Sequence, residues 1–338
     1  MDPAIIPAHR EGHCLIISGL ERTESDKLLE TEENYKFMST LIVSGSPHVH
    51  GDTSVKKIMY GVVIAMVPAI IVSVYFFGMD ALRVMLISSV ACLFFEWVIQ
   101  KYIIKGPMTI NDGSALVTGI LLAFNVPSNL PTWIIIIGAF VAIAIAKMSF
   151  GGLGKNPFNP ALVGRVFLLM SFPVQMTSWP IPKPLFAGEA LTDAVTGPTP
   201  LGILKEGLKM GKTVPELMPE MPGYIQELLG NQGGSLGEVS AIALIIGAIY
   251  MLSRKIITWH VPIAYLLSVF AFTGILYLID PALYVNPLFH LVTGGLMLGV
   301  FYMATDMVST PLSAKGMLVF GLGCGILTVI IRVWGSYP

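Results

Sequence analysis

Long apolar runs alternate with short polar turns along most of this chain from residue 58 onward. Six runs are long enough to cross about 30 Å of hydrocarbon as helices: 58–77, 81–103, 131–149, 258–279, 287–304 and 316–333. A seventh run, 239–252, is shorter but contains no charged residue, and we interpret it as a further span. The pattern predicts an all-α polytopic membrane protein.

Two further apolar runs, 113–126 and 159–172, are too short to cross a membrane as regular helices. The polar or proline-containing segments TINDG, NVP, NPFNP and SFP bound them. A short apolar run is also typical of an ordinary core helix. In a chain this hydrophobic, a broken or half-length membrane helix is the better interpretation, and the predicted spans then number nine.

Two stretches of the chain resemble each other, ALVTGILLAFNVP at 115–127 and HLVTGGLMLGVFY at 290–302. The spans that begin near residues 58 and 239 precede these stretches by similar offsets. Because five segments precede the polar loop 173–238, the second copy would start on the opposite side of the membrane. We therefore predict inverted repeats at 38–172 and 239–338, an arrangement that places a site near the bilayer midplane.

The two ends of the chain raise separate expectations. The second repeat contains four segments against five in the first, so we expect either an unequal fold or a missing tenth span after the final RVWGSYP. Residues 1–37 are polar and acidic and lack the basic start and long apolar core of a signal peptide. We expect a disordered extension there, with a natural start near Met38.

The composition supports a membrane location and excludes several other classes. Of 338 residues, 54% are hydrophobic and 12% are charged, about half the charged share of a soluble domain. A net charge of −1 gives no indication of a nucleic-acid partner. The three cysteines are far apart and the six histidines are scattered, so no metal site is predicted. The HVH triplet at 48–50 fits a solvated loop better than a metal site.

With every predicted segment counted as a crossing, nine basic residues fall on one side of the membrane, and the short loops on the other side contain almost none, with Arg83 as the exception. The nine residues are Lys56, Lys57, Lys101, Lys105, Lys147, Lys155, Arg254, Lys255 and Lys315. Since positive charge marks cytoplasmic loops, the N-terminus is predicted to be cytoplasmic. The long loop 173–238 is then extracytoplasmic.

The ionisable residues within or beside the predicted spans include Glu96, Asp112, Arg165 and Asp306. An ionisable group at membrane depth is costly and by default indicates an ion or substrate path. For Asp112 and Asp306, a helix cap or an interfacial side chain explains the residue equally well. Glu96 and Arg165 are harder to explain in structural terms alone.

The segment SFGGLGKNPFNPALVGR, residues 149–165, combines glycines, two Asn-Pro steps and a predicted helix start. It is not a Walker A loop, because Ser149 and Asn156 occupy positions where glycine and Ser/Thr are required. Asn156 and Asn159 could offer amides to a heteroaromatic ring. A structural re-entrant turn is an equally good interpretation.

The predicted outer loop contains LTDAVTGPTPLG, residues 191–202. From its glycine and prolines alone, this stretch would be an ordinary turn. It resembles, however, the D-x-x-[ST]-G-A-T motif whose last threonine flavin transferases esterify with the phosphate of FMN. That threonine is Thr199, and Asp193, Thr196 and Gly197 supply the rest of the motif. Pro198 stands where alanine is usual.

Four more segments strengthen this resemblance: SGSPHVHGDTSVKKIMYGV, INDGSALVTGILLAFNVP, FGGLGKNPFNPALVGRVFL and ATDMVSTPL. Together they are similar to the D subunits of Rnf ion-translocating ferredoxin:NAD⁺ oxidoreductases. The B subunit of sodium-pumping NADH:quinone oxidoreductase has the same architecture. The resemblance covers residues 38–338 and implies ten spans.

The resemblance implies a flavoprotein subunit of an electron-transport complex in the bacterial cytoplasmic membrane. Covalent FMN on Thr199 would pass electrons between ferredoxin and NAD⁺, coupled to Na⁺ or H⁺ transport. The implied partners are the other membrane, flavin and iron–sulfur subunits and a flavin transferase.

A noncovalent flavin, riboflavin, is a further expectation, with Asn156, Asn159 and Arg165 as its candidate site. Glu96, Asp112 and Asp306 are the candidates for the ion path. The alternative hypothesis is a solute channel or transporter with inverted repeats and no redox activity.

Overall fold

The computed structural model describes residues 54–105, 108–182, 196–230, 233–238 and 240–335. Within these ranges the chain is α-helical and forms no β-strand, apart from one isolated bridge between Pro180 and Thr196. The all-α class is therefore confirmed. The predicted extension 1–37 lies outside the described residues.

The first two predicted spans form one helix, α1, Val55–Val98, which is broken at a single residue. Gly78 has φ 62° and ψ −141°, a backbone conformation that glycine adopts without the cost a side chain would add. Ser54 caps the start of α1 by accepting a hydrogen bond from the Lys57 backbone N–H at 3.2 Å. A π-helical segment, Ile99–Ile104, continues the helix.

The rest of the first half contains two short helices and one longer helical segment. The short helices are α2, Ser114–Phe124, and α4, Pro160–Ser171, as the short apolar runs predict. Between them, α3, Thr132–Phe140, continues as a π-helical segment, Val141–Ile145.

Small helices form the described part of the long loop. They are α5, Pro173–Met176; α6, Pro200–Lys209; α7, Val214–Leu217; and α8, Tyr224–Leu229. Leu201, Leu204, Val214 and Leu217 pack against Phe289 in a small apolar cluster of their own. This cluster fixes α6 and α7 against the second half of the protein.

The second half contains α9, Ala241–Ser253; α10, His260–Ile279; and α13, Ala314–Trp334. The predicted continuous span 287–304 is wrong. It is broken into α11, Pro287–Val292, and α12, Leu296–Leu298, which a π-helical segment, Gly299–Met303, extends. The break falls at Thr293-Gly294-Gly295, where Gly294 adopts φ 72° and ends the helical hydrogen bonding.

Four helical segments of the described chain are long and apolar enough to cross a membrane. They are Val55–Ile104, Thr132–Phe150, His260–Ile279 and Ala314–Trp334. The other predicted spans are helical too. They form the shorter helices α2, α4 and α9 and the broken pair α11 and α12. The chain is thus a multi-pass membrane protein in which several helices are short or interrupted.

The two halves meet through close backbone contacts at small residues. A Cβ added at Gly247 on α9 would overlap the carbonyl oxygen of Ala65 on α1 and the Tyr302 hydroxyl. The Tyr302 hydroxyl lies 2.9 Å from the Ala65 oxygen and 3.2 Å from the Leu244 oxygen, so it can donate to either. Such small-residue contacts are a main source of helix association in lipid, where apolar burial between helices gains little.

We predict that Gly247→Ala lowers the free energy of unfolding by about 1–3 kcal/mol, because the added methyl group has no room. The matched control is Gly323→Ala on α13, where a Cβ would meet nothing within 4 Å. The control is expected to be neutral or slightly stabilising, since alanine favours helix by up to about 1 kcal/mol. Unfolding in mixed detergent micelles measures both. Equal effects of the two variants would contradict the packing argument.

Candidate functional site

A cleft of about 1120 Å³ opens between α4, α10, α13 and the break between α11 and α12. Its walls are mostly apolar, with side chains that include Phe158, Phe167, Met170, Trp179, Phe320 and Ile331. The polar or charged side chains that line it include Asn125, Asn159, Arg165, Thr199, Glu238, Tyr265, Thr293 and Arg332. A large apolar cleft with a few polar groups is the usual form of a cofactor or ligand site.

Thr199 lies at the edge of this cleft as the N-cap of α6. Its hydroxyl oxygen accepts a hydrogen bond from the Gly202 backbone N–H at 3.1 Å. Pro200 follows as the first helical residue, and a Thr-Pro pair is well suited to start a helix. The half-buried hydroxyl therefore sits at the positive end of the helix, where an attached phosphate is favoured.

The residues before Thr199 are held against the segment that follows α5. The Gly197 N–H donates to the Trp179 carbonyl oxygen at 3.0 Å, and Thr196 forms the bridge with Pro180. Thr196 and Pro198 are exposed. Asp193, the first residue of the predicted motif, lies outside the described residues. The described part of the motif thus presents Thr199 to the cleft from a fixed backbone.

Asn156, Asn159 and Arg165 do not form the single site that we predict from the sequence. Arg165 lines the large cleft and donates through Nε to the Asn125 carbonyl oxygen at 3.3 Å. Asn156 instead lines a second cavity, and its Oδ1 has no hydrogen-bond partner among the described residues. Asn159 lines both cavities while capping α4, since its Oδ1 accepts from the Ala161 N–H at 3.0 Å.

The second cavity has a volume of about 80 Å³, enough for only a few waters. Polar groups that line it include Ser114, Lys147, Asn156, Tyr302 and Asp306. The Asp306 carboxylate accepts hydrogen bonds from the Ser309 hydroxyl at 3.2 Å and the Val308 N–H at 3.4 Å. Asp306 therefore also stabilises its own turn.

A buried ion pair adjoins this cavity. Glu96 Oε2 lies 2.7 Å from Lys147 Nζ, and both side chains are almost completely buried, at 1% and 2% exposure. Lys147 also donates to the Ser114 hydroxyl at 2.6 Å, and Ser114 donates to Asp112 Oδ1 at 2.6 Å. This chain of contacts joins Glu96 to Asp112. Lys147, one of the basic residues on the predicted cytoplasmic side, is thus the buried partner of Glu96.

Sequence reasoning missed two charged residues of the large cleft, Glu238 and Arg332. Arg332 donates through Nη1 to the His290 carbonyl oxygen at 2.6 Å and through Nη2 to the Thr293 carbonyl oxygen at 2.8 Å. Glu238 accepts from the Ser235 N–H at 3.4 Å. Arg332 lies inside the predicted span 316–333, so its charge at membrane depth was a signal that could have identified it.

Glu227 on α8 was also missed. It is fully buried, and its Oε2 accepts a hydrogen bond from the Thr293 hydroxyl at 2.8 Å. Burial raises the pKa of this carboxyl to about 7, although the Thr293 hydrogen bond lowers it in part. A substantial fraction of Glu227 is therefore neutral at neutral pH, which reduces the cost of burying it beside the helix break.

Comparison with known proteins gives consistent matches. The model of the NQR2, RnfD, RnfE family matches residues 42–338. The D subunit of the Na⁺-translocating ferredoxin:NAD⁺ oxidoreductase complex of Acetobacterium woodii is 46% identical over 302 residues, covering 88% of this chain and 87% of the relative. The proton-translocating counterpart of Clostridium ljungdahlii is 43% identical over 301 residues, with 88% and 87% covered. The D subunit of the ion-translocating oxidoreductase complex of Stutzerimonas stutzeri is 38% identical over 302 residues, with 85% of each covered.

We predict that Lys147→Met lowers the free energy of unfolding by about 3–5 kcal/mol, because it leaves the Glu96 carboxylate buried without its cation. The double variant Glu96→Gln, Lys147→Met removes both charges and is expected to recover most of this loss. Lys155→Met, at an exposed lysine of the same region, is the control. Unfolding in mixed micelles measures all three. A double variant as unstable as the single one would contradict the pairing.

Proposed function

The chain belongs to the NQR2, RnfD, RnfE family, and from this premise we propose that it is the D subunit of a bacterial ion-translocating ferredoxin:NAD⁺ oxidoreductase. In this proposal Thr199 carries a covalent FMN, and the other subunits supply the ferredoxin and NAD⁺ sites. Relatives that are named as D subunits of such complexes match the chain along nearly nine-tenths of its length. The protein resides in the cytoplasmic membrane, with the N-terminus inside and the loop 173–238 outside.

The observation that carries the proposal is the position of the Thr199 hydroxyl at the edge of a large apolar cleft. An ester formed at Oγ1 puts the phosphate at the N-terminus of α6, where backbone N–H groups such as that of Gly202 stabilise negative charge. The cleft is wide enough for an aromatic ring system, and its walls are mostly apolar. The residues present therefore fit the group.

When bound, FMN supplies the redox chemistry, and the protein supplies attachment, orientation and electrostatics. The Thr199 tether keeps the cofactor at a high effective concentration beside the cleft. The apolar side chains of the cleft limit access of water, while Arg165, Glu238 and Arg332 provide fixed charges.

A second, noncovalent flavin such as riboflavin has weaker support. Asn156 offers an unpartnered Oδ1, but the cavity it lines is too small for a flavin. Asn159 and Arg165 line the large cleft instead. The three residues therefore do not line a single cavity of the size that riboflavin needs.

For the ion path, we propose the small cavity and the ion pair beside it. Asp306 and Ser114 line the cavity, and Lys147 joins Ser114 to Glu96. Movement of Lys147 between these two partners would change the negative charge that an entering Na⁺ or H⁺ meets. Asp112 is the last member of the same hydrogen-bond network, because it accepts from the Ser114 hydroxyl.

We predict that the chain, produced together with an active flavin transferase, gives a band on a denaturing gel that fluoresces under ultraviolet light. Thr199→Ala removes the ester oxygen and should abolish the fluorescence. Thr213→Ala, at the loop threonine that starts α7, is the matched control and should keep it. A dark native band, with the transferase active on another substrate, would mean that Pro198 prevents modification, and it would favour the channel hypothesis.

We also predict that Glu96→Gln and Asp306→Asn reduce the number of ions moved per electron in vesicles that contain the whole complex. The physical reason is that each variant removes a carboxylate from the proposed path. Ion uptake and ferredoxin-dependent NAD⁺ reduction are measured together, with the exposed Glu206→Gln as control. Unchanged pumping at full electron transfer would rule out these two residues.

A further inference from the structure

The helix break between α11 and α12 brings two opposite charges against two consecutive glycines. A Cβ added at Gly294 would lie 3.1 Å from Arg332 Nη2, and one added at Gly295 would lie 3.1 Å from Glu238 Oε1. Contacts this short force a neighbour to move. The absence of a side chain at these two positions therefore leaves room for a cation at Gly294 and an anion at Gly295.

Both charges line the large cleft, on the wall where the helix of Thr199 begins. The Cβ added at Gly294 would also lie 3.1 Å from Cδ1 of Leu201, two residues after Thr199. Both Leu201, in the first turn of α6, and the Arg332 guanidinium therefore lie close to Gly294. A ring tethered at Thr199 has these charges within its reach.

Arg332 has further N–H groups that could donate to a ligand, beyond those that bind the end of α11. Two of its N–H groups donate to the carbonyl oxygens of His290 and Thr293, which the break leaves without helical partners. A guanidinium has five N–H groups, so further donors are available. A carboxylate has about four acceptor positions, and the Ser235 N–H is one of the interactions that the Glu238 carboxylate makes.

We propose that Arg332 and Glu238 bind the pyrimidine edge of the flavin ring. Arg332 donates to a ring carbonyl oxygen, and Glu238 accepts from the ring N–H beside it. This edge presents one N–H between two carbonyl groups, and a guanidinium and a carboxylate on the same cleft wall offer the complementary donor and acceptor. The inference rests on the proposed function, since it requires a flavin on Thr199.

The two residues should act on the flavin in opposite directions. Reduction adds negative charge to the ring, which a neighbouring cation stabilises and a neighbouring anion opposes. If Arg332 and Glu238 only held α11 and α12 together, replacing them would change the stability of the protein but would not shift the flavin potential in opposite directions. The redox potential therefore separates a binding role from a structural one.

The test is a spectroelectrochemical titration of the covalent flavin in the purified full chain. Arg332→Gln is expected to lower the midpoint potential and Glu238→Gln to raise it. Each shift should correspond to at least a tenfold change in the relative binding of reduced and oxidised flavin, which is about 30 mV for a two-electron couple. Arg332→Lys keeps the charge and should stay closer to the native potential than Arg332→Gln.

The matched controls remove one positive or one negative charge at a position away from the cleft. Arg254→Gln and Glu206→Gln change exposed residues that are not among those lining the cleft, and they should leave the potential unchanged. Gel filtration in detergent and fluorescence on a denaturing gel verify folding and attachment. If Arg332→Gln does not fold, Arg332→Lys and Glu238→Gln decide the question.

The outcomes separate the two proposals. A dark native band contradicts the covalent flavin and with it this inference. A fluorescent band whose potential does not differ between the cleft variants and the controls overturns the inference alone. Opposite shifts for Arg332→Gln and Glu238→Gln, with control potentials unchanged, support it.

Discussion

The structure depends on one constraint, that the backbone N–H and C=O groups at helix ends inside a membrane must find partners within the protein. Several helices of this chain end or break inside the bundle, and side chains satisfy the exposed groups. Asn159 caps α4 in a buried position by accepting from the Ala161 N–H. Arg332 satisfies the carbonyl oxygens at the end of α11. Each interruption therefore brings polar side chains into an otherwise apolar interior.

The same side chains line the cavities. Asn159 caps a helix and faces both cavities, and Arg332 holds a helix end while lining the large cleft. A continuous helix over 287–304 would remove the break and, with it, the reason for Arg332 to be there. The helix breaks thus have two consequences. They require polar side chains to satisfy the backbone, and they place those side chains where the polar edge of a cofactor can bind. Thr199 follows the same rule outside the spans, since it starts α6 with the hydroxyl proposed to carry FMN.

The Glu96–Lys147 pair shows how a charge can be kept at depth. Neither residue is tolerable alone in a buried position, but together with Ser114 and Asp112 they form a connected set of hydrogen bonds. Such a set stabilises one arrangement of α1, α2 and the segment after α3. It also places the Lys147 ammonium next to a cavity that Asp306 lines. A structural pair and an ion path are therefore compatible uses of the same residues.

The sequence by itself determined the all-α membrane class, most spans, the short α2 and α4, and Thr199 as the residue that resembles a flavin attachment site. These features depend on local apolar patterns or on consecutive residues. Tertiary structure alone decided that 287–304 is broken, that Lys147 pairs with Glu96, that Asn156 and Arg165 face different cavities, and that Arg332 and Glu238 approach Gly294 and Gly295. The physical reason is that each of these depends on contacts between residues far apart in the chain, which no local pattern contains. The inverted relation of 38–172 and 239–338 stays a prediction.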